Sequence, residues 1–311
     1  MCDLSREFSE FYHRIALSVS QLKMVRNLRQ ALRTGIRQYF QTRLKLRPPI
    51  FHNRGRLATE TSVAPLYAEI ILEDGVLLQH LGQDDIRAWP RPEIMHLLLI
   101  NAVHGHAPDP PLDKKHSICV PYAGIYRLEI SVLAPSRKGC RLAVNGAQEW
   151  QIDDQERLAA WFKNQLRHQG RQLQRVACYL NAWADFHPNQ LENFAWRLPL
   201  DILAARNFQA DVGRDDLALS RTASAIARAV PWDEPRPDPV KTEDVLPWSL
   251  SPQQHHAFVR SIETLAEKSA QAIATRDREH ACAIWRSQLG GRFPMAGTNF
   301  RWLDGGFRGK R

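Results

Sequence analysis

Apolar residues recur at spacings of three and four over the first part of the chain, which is the pattern of one face of an α-helix. The pattern predicts one long helix over residues 5–41, and Pro48 and Pro49 end any continuation. Its apolar positions are Phe8, Phe11, Ile15, Val19, Leu22, Val25, Leu28, Leu32, Ile36 and Tyr39. Because an apolar stripe of this length needs a partner surface, we expect the helix to pack across both parts of the protein.

From residue 50 to about residue 133 the pattern changes to short apolar runs separated by turn residues, which is typical of strands. The runs are Ala68–Leu72, Val76–Leu78, His96–Ile100, Ser117–Tyr122 and Tyr126–Leu133. This part of the chain is therefore predicted to be a sheet region with few helices.

After residue 150 the spacing of three and four returns and predicts helices. Asp153 or Asp154 is a candidate N-cap of the first helix, and a second helix covers 173–183. The prolines and acids of 231–252 predict an extended strap that links helices. A last amphipathic helix is then predicted over about 252–288, with a break near Arg276.

Together these patterns predict an α+β protein. We expect a sheet core with the long N-terminal helix over 1–150, a helical lobe over 151–295 and a loose basic tail over 296–311. The chain has 311 residues, of which 44% are hydrophobic, and this is enough to form packed cores. A chain that is mainly disordered is excluded.

The positive charge of the chain is concentrated near its N-terminus. The formal net charge is +9, and no Asp or Glu occurs between Glu10 and Glu60. Four arginines in this segment share one helical face, and they are Arg26, Arg29, Arg33 and Arg37. This arginine stripe fits either a solvated or internally paired face or a surface along a phosphate backbone. We expect most of its guanidinium groups to be accessible.

Cysteine usage and hydropathy bear on the compartment. The five cysteines lie far apart and form no CxxC pair, which argues against a disulfide framework and a zinc knuckle. The longest apolar stretch, around His96–Val103, is much shorter than the roughly 20 residues that cross a bilayer. Acids near the N-terminus are unlike a secretory signal. We therefore expect a cytoplasmic protein without membrane contact.

Several segments share their order and motifs with one enzyme family. They are Phe51–Arg56, Glu69–Gly75, Tyr126–Ser131, Leu173–Trp183, Asp211–Leu219 and Trp285 with Gly291–Pro294. In these segments the chain resembles the cGAS/DncV-like nucleotidyltransferases (CD-NTases), bacterial enzymes that make cyclic oligonucleotide signals during phage infection. The resemblance covers about residues 8–294. It implies a polymerase-beta-like nucleotidyltransferase fold, with a mixed-sheet core, a helical second lobe and a long N-terminal helix.

The resemblance implies a site in which three carboxylates bridge two Mg²⁺ ions. The family's Asp-x-Asp pair falls on Ile71 and Glu73, and its third carboxylate falls on Glu129. Isoleucine has no oxygen, and both glutamates are one methylene longer than aspartate, whereas Mg²⁺ requires near-octahedral geometry. We therefore expect Glu73 and Glu129 to bind metal weakly or not at all. Glu69 is an alternative ligand on the same strand face, about 6–7 Å from the position of Ile71.

The nucleotide-binding positions that the resemblance implies are also changed. The Gly-Ser turn that contacts the triphosphate is Gly55-Arg56 here, although an arginine can still bind a phosphate. In the helix that ends at Trp183, Cys178 replaces a family arginine and Asn181 replaces the lysine that faces the triphosphate. Positive charge is thus lost where the family neutralises the nucleotide.

Three functional hypotheses follow. The first is a pseudo-nucleotidyltransferase with an impaired site, which serves as a partner of another defence-operon protein, a scaffold or a ligand sensor in antiphage defence. The second is a divergent active nucleotidyltransferase that uses Mg²⁺ to make a cyclic or linear oligonucleotide from nucleoside triphosphates. The third is a nucleic-acid-binding module that uses the arginine stripe.

Overall fold

The computed structural model describes residues 2–66, 68–82, 86–137, 139–189, 191, 199–229 and 250–297. Residues 231–249 of the strap predicted over 231–252 and residues 298–311 of the tail predicted over 296–311 lie outside these residues.

The N-terminal segment forms two helices, α1 (Ser5–Ile15) and α2 (Val19–Thr42), so the prediction of one helix over 5–41 is wrong. Ala16 is extended, and Ser18 caps α2 in a reciprocal pair of hydrogen bonds with Gln21. This is the capping box Ser-x-x-Gln. The apolar spacing continues through the break, which is why periodicity alone did not reveal it.

The strands form one mixed sheet. Its members are β1 (Ile50–Asn53), β2 (Ile70–Leu77), β3 (Leu112–Asp113), β4 (Ile118–Tyr122), β5 (Tyr126–Ser136), β6 (Gly139–Leu142) and β7 (Gln151–Asp153). The order is β1-β2-β5-β4-β3, with β6 paired to β5 and β7 paired to β6. β2 and β5 are parallel, and the other pairs are antiparallel. The mixed sheet predicted for this part of the chain is confirmed.

The described residues between the strands contain two α-helices and one short 3-10 helix, Ile86–Ala88. The short helix α3 (Gly55–Thr59) follows β1, and α4 (Pro92–Val103) precedes β3. The apolar run His96–Ile100 lies within α4, so its interpretation as a strand is wrong. Pro92 at the first turn and the leucine-rich sequence favour a helix, and a short apolar run does not separate a buried strand from a buried helix.

The secondary-structure elements described after β7 are all helices. The helices are α5 (Gln155–Gln169), α6 (Arg171–Phe186), α7 (Leu200–Asn207), α8 (Asp215–Ala229), α9 (Pro252–Ala274) and α10 (Arg278–Leu289). Asp154 occupies the N-cap position of α5 without a side-chain capping hydrogen bond. The break predicted near Arg276 is confirmed, because Asp277 caps α10 through the main-chain N–H groups of Glu279 and His280.

The buried apolar residues form two clusters. One lies among α1 and the helices from α5 to α10, and it contains the largest buried aromatic side chains, including Phe8, Tyr179 and Trp285. The other lies between α2, α4 and the sheet, and it includes Leu32, Leu72 and further β-strand residues. The N-terminal segment thus spans both clusters, as predicted, with the break between α1 and α2 at the passage from one to the other. No helix in the described ranges is both long and apolar enough to span a bilayer.

Candidate functional site

The parallel pair β2–β5 brings the predicted site residues together. Its register pairs Glu73 with Glu129 and Ile71 with Arg127. Neighbouring strands are about 4.8 Å apart and residues in register point to the same face, so the two glutamates are neighbours. Ile71 and Glu73 alternate with Leu72 and share that face, which we call the front face of the sheet. Ile71 is 37% exposed there.

Glu129 is held by three groups. Lys114 Nζ donates to its Oε1 at 2.6 Å, and Ser117 Oγ donates to its Oε2 at 2.6 Å. Arg127 Nε lies 2.9 Å from the same Oε1. Arg127 also donates through Nη1 to Glu69 at 3.3 Å. Both oxygens of Glu129 are therefore engaged by the chain itself, and the candidate alternative ligand Glu69 is paired with Arg127.

Glu73 lies against the turn between β1 and α3. A methyl group on Gly55 would lie 1.4 Å from Glu73 Oε2, and Gly55 has a φ of +61°, so the position requires glycine. The main-chain N–H of Arg56 donates to the Glu73 carboxylate. Burial raises the pKa of Glu73, and the positive charges of Arg56 and Arg54 oppose that rise. The carboxylate thus contacts the turn to which the resemblance assigns phosphate binding.

Arg54 fixes the other side of this turn. Its guanidinium forms a bidentate pair with Asp153, with Nη1–Oδ2 at 2.8 Å and Nη2–Oδ1 at 2.7 Å, and both side chains are buried. The pair connects the end of β1 to β7. The sequence indicated Asp153 only as a candidate helix cap and Arg54 only as part of the basic, family-like segment Phe51–Arg56. The pair itself was not predictable, because pairing between distant residues leaves no local pattern.

Asn181 is in the core rather than on a binding surface. It is 1% exposed, and its Nδ2 donates to the Thr61 carbonyl at 3.2 Å and to Asp201 Oδ1 at 3.0 Å. Asp201 Oδ2 accepts from Thr59 at 3.0 Å and from Thr61 at 2.6 Å. The network joins α3, α6 and α7, and its role was not predicted. This placement does not support direct binding of a triphosphate by Asn181.

A cleft of about 240 Å³ opens between the sheet and the helical part of the chain. Its polar lining consists of Gly55, Arg56, Thr59, Glu73, Gln155 and Asp201. Its apolar lining consists of Leu158, Ala159, Phe162, Pro199, Leu200 and Ile202. Gly55 and Arg56, the positions of the expected phosphate turn, thus line this cleft.

The arginine stripe is largely engaged within the chain. Arg33 binds the buried Asp74 through two nitrogens and Asn53 through Nη2, and Arg29 Nε lies 3.8 Å from Asp74 Oδ1. Arg37 packs over the Phe51 ring, with its Cζ 4.7 Å from the ring centroid. Arg26 is exposed. The expectation that most of the stripe is accessible is wrong, because Asp74 follows Glu73 on the opposite face of β2 and attracts the guanidinium groups.

The donor set on the front face does not fit a pair of Mg²⁺ ions. Ile71 supplies no oxygen, and the oxygens of Glu129 already bind an ammonium, a guanidinium and a hydroxyl. Across the ranges that the structure describes, no group of three or more His, Cys, Asp or Glu residues is arranged to hold a metal ion. Hard oxygen ligands in octahedral geometry are what Mg²⁺ requires.

Comparison with known structures places the fold. Vibrio cholerae DncV in its apo form is 13% identical, over 94% of this chain and 96% of that chain, with a TM-score of 0.75. V. cholerae DncV cyclic AMP-GMP synthase with a linear intermediate is 15% identical, over 92% and 97%, with a TM-score of 0.72. Escherichia coli MS115-1 CdnC with ATP is 15% identical, over 94% and 99%, with a TM-score of 0.70.

No protein-family profile matches the sequence. At identities this low, the structural likeness establishes the fold and leaves the chemistry to be argued from the residues. The chain therefore has the mixed-sheet nucleotidyltransferase fold of DncV and CdnC, which are cGAS-like CD-NTases.

Proposed function

We propose that this chain is a catalytically impaired CD-NTase-like protein that binds a ligand or a partner in bacterial antiphage defence. The observation that carries the proposal is the register that pairs Ile71 with Arg127. The resemblance assigns a metal-bridging carboxylate to this place, and here an isoleucine lies beside a guanidinium. A two-metal site for nucleotidyl transfer would lack its first carboxylate ligand at this position.

The neighbouring residues support the same proposal. Glu129 is ion-paired, Glu73 contacts the turn at Gly55, and Asn181 is buried in a hydrogen-bond network. Each of these features affects a different part of one catalytic unit. The effects of changes within such a unit on the reaction rate are not additive. The single substitution Ile71→Asp is therefore expected to restore no synthesis.

The cleft supports a role as ligand sensor. Its apolar lining can bury a ring system, and Arg56 at the polar end can bind one anionic group. Scaffolding and pairing with another protein of a defence operon are the other forms of the same proposal, since each needs the fold without the chemistry. The five cysteines are free thiols, which supports a place in the reducing cytoplasm.

Incubation with labelled nucleoside triphosphates tests the proposal. The chain is incubated with all four ribonucleotides and Mg²⁺ or Mn²⁺, and products are separated by thin-layer chromatography, with V. cholerae DncV as the positive control. We expect no cyclic or linear oligonucleotide from this chain. Product that disappears in Glu73→Gln would overturn the proposal.

A second experiment tests the sensor role. Nucleoside mono- and triphosphates are screened by thermal shift, and Arg56→Met is compared with Arg26→Met, which removes an exposed guanidinium on α2. We expect a stabilising anion whose effect is lost in Arg56→Met and kept in Arg26→Met. Equal responses of the two variants would remove the cleft from the proposal.

One observation favours the divergent-enzyme alternative. Glu73 and Glu129 are adjacent in register, so two of the three family positions keep neighbouring carboxylates. A single metal between them would supply Lewis acidity if Glu129 exchanged its present partners. The chromatography experiment separates this alternative from the proposal. The nucleic-acid hypothesis loses support, because Arg33 is hydrogen-bonded to Asp74 and Arg29 lies within 3.8 Å of the same carboxylate.

A further inference from the structure

The front face of the sheet carries its own cations beside its carboxylates. We propose that Lys114 and Arg127 replace the divalent cations of this fold, as permanent counter-ions of Glu129 and Glu69. The chain would then keep this face ordered without any metal. The inference rests on the proposed function, because transfer by metal would need these carboxylates to be free.

The contacts at Glu129 are those of a filled site. Lys114 Nζ and Arg127 Nε approach the same oxygen, Oε1, at 2.6 and 2.9 Å. Ser117 Oγ occupies Oε2 at 2.6 Å. A Mg²⁺ ion needs its oxygen ligand at about 2.0–2.1 Å, which would place it against the ammonium and the guanidinium. Two positive groups at that distance repel a divalent cation strongly in a partly desolvated site.

The register explains why Arg127 can serve two carboxylates. Arg127 lies beside Ile71, between the level of Glu129 and that of Glu69. Its Nε lies 2.9 Å from Glu129 Oε1, and its Nη1 lies 3.3 Å from Glu69 Oε2. An aspartate at position 71 would attract this guanidinium, whereas isoleucine leaves it to bridge. The loss of the first ligand and the gain of the internal cation therefore belong together.

The negative charges of Glu69 and Glu129 are also balanced by positive charges. Glu69 and Glu129 carry two negative charges, and Lys114 and Arg127 carry two positive charges. Glu129 is 14% exposed at its side chain, so an uncompensated charge there would be costly. Glu73 accepts a hydrogen bond from the main-chain N–H of Arg56 instead, and the positive charges of Arg56 and Arg54 favour its ionised form.

Mn²⁺ binding tests the inference. The full chain is compared with Lys114→Met/Arg127→Met, and Lys115→Met serves as the control, because Lys115 is an exposed neighbour. Binding is measured by electron paramagnetic resonance of Mn²⁺ and by the shift in Tm. We expect no site-bound Mn²⁺ in the unaltered chain or in Lys115→Met. The double variant should gain one weak site and a rise in Tm of about 2–4 °C at saturating Mn²⁺.

The gained site must depend on Glu129. Adding Glu129→Gln to the double variant should abolish both signals. Site-bound Mn²⁺ in the unaltered chain that is lost in Glu129→Gln would overturn the inference, and so would a folded double variant that binds none. Should the double variant fail to fold, Lys114→Met alone provides the readout, since Lys114 is 40% exposed at its side chain.

The two proposals fail separately. An unaltered chain that binds no Mn²⁺ but makes an oligonucleotide would remove the proposed function and leave the internal cations in place. An inactive chain that binds Mn²⁺ at Glu129 would remove the internal cations and leave the proposed function.

Discussion

The two faces of strand β2 differ in what they carry. The back face, toward α2, has Leu72, Asp74 and Val76, all of them buried. The front face, toward the cleft, has Ile71 and Glu73, of which the first is exposed and the second half-buried. Side chains alternate across a strand, so residues adjacent in sequence belong to different environments. One strand therefore shows how packing and chemistry can diverge within eight residues.

The difference explains how the fold can be kept while the residues of the front face change. The back face requires only apolar volume and one ion pair, which many sequences supply. Metal chemistry on the front face would require particular oxygens at particular distances, and an isoleucine side chain supplies none. A chain 13% identical to DncV can therefore keep the fold, with a TM-score of 0.75, while the carboxylates of its front face pair with side chains of the same chain.

We expect the largest loss of stability when the ion pair of the back face is broken. Asp74→Asn leaves Arg33 half-buried without its carboxylate, and we expect a loss of about 3–5 kcal/mol in the free energy of unfolding. Glu129→Gln on the front face should cost only about 1 kcal/mol, because Lys114 can turn toward solvent. Urea unfolding of both variants measures the difference. Equal losses would contradict the contrast between the faces.

Apolar truncation sharpens the same contrast. Leu72→Ala removes a fully buried side chain from the cluster between α2 and the sheet, and we expect a loss of about 3 kcal/mol. Ile71→Ala, one residue earlier, should cost less than about 1 kcal/mol because Ile71 is partly solvated. Both losses of stability are measured by urea unfolding, and we expect the m-values of the two variants to be unchanged. A large loss in Ile71→Ala would show that the front face also supports packing.

Much of the fold followed from the sequence because its signals are local. Alternation and short runs predicted the sheet, and spacing of three and four predicted α5, α6 and the helices near Arg276. The errors have physical causes. Periodicity is blind to a capped break such as Ser18, and α4 is apolar on several sides, so the run His96–Ile100 has no helical signature.

The site was predictable only in its positions. The resemblance placed Ile71, Glu73 and Glu129 on neighbouring strands, and the register agrees with it. The partners of Glu129 were not predictable, because Lys114 and Ser117 reach it from the turn between β3 and β4. Ion pairs that depend on tertiary structure leave no spacing in the sequence, and Asn181 shows the same limit.

A substitution at Gly55, in the turn beside the front face, should cause a smaller loss of stability. Gly55→Ala meets the Glu73 carboxylate and also forces a positive φ, and we expect a loss of about 2 kcal/mol in stability. Gly124→Ala is the control, because Gly124 has a φ of +69° but open space around it. It should cost about 1 kcal/mol from the backbone alone. Combining Gly55→Ala with Glu73→Ala should recover the difference, and no recovery would show that the carboxylate is not the obstacle.

The pH dependence of Glu73 gives the smallest effect. Burial raises the pKa of Glu73 above its ordinary value of 4.5, so the folded state binds this proton more tightly than the unfolded state. Stability therefore falls as pH rises from about 4.5 through the folded pKa, and the loss remains at higher pH. Glu73→Gln mimics the neutral form, so it should gain stability relative to the unaltered chain across that window. Urea unfolding from pH 4 to pH 8, at roughly one-unit steps, measures the difference, and the exposed Glu149→Gln serves as the control. A constant difference across this range would show that Arg56 and Arg54 offset burial at the front face, and a gain that appears on acidification would show that they outweigh it.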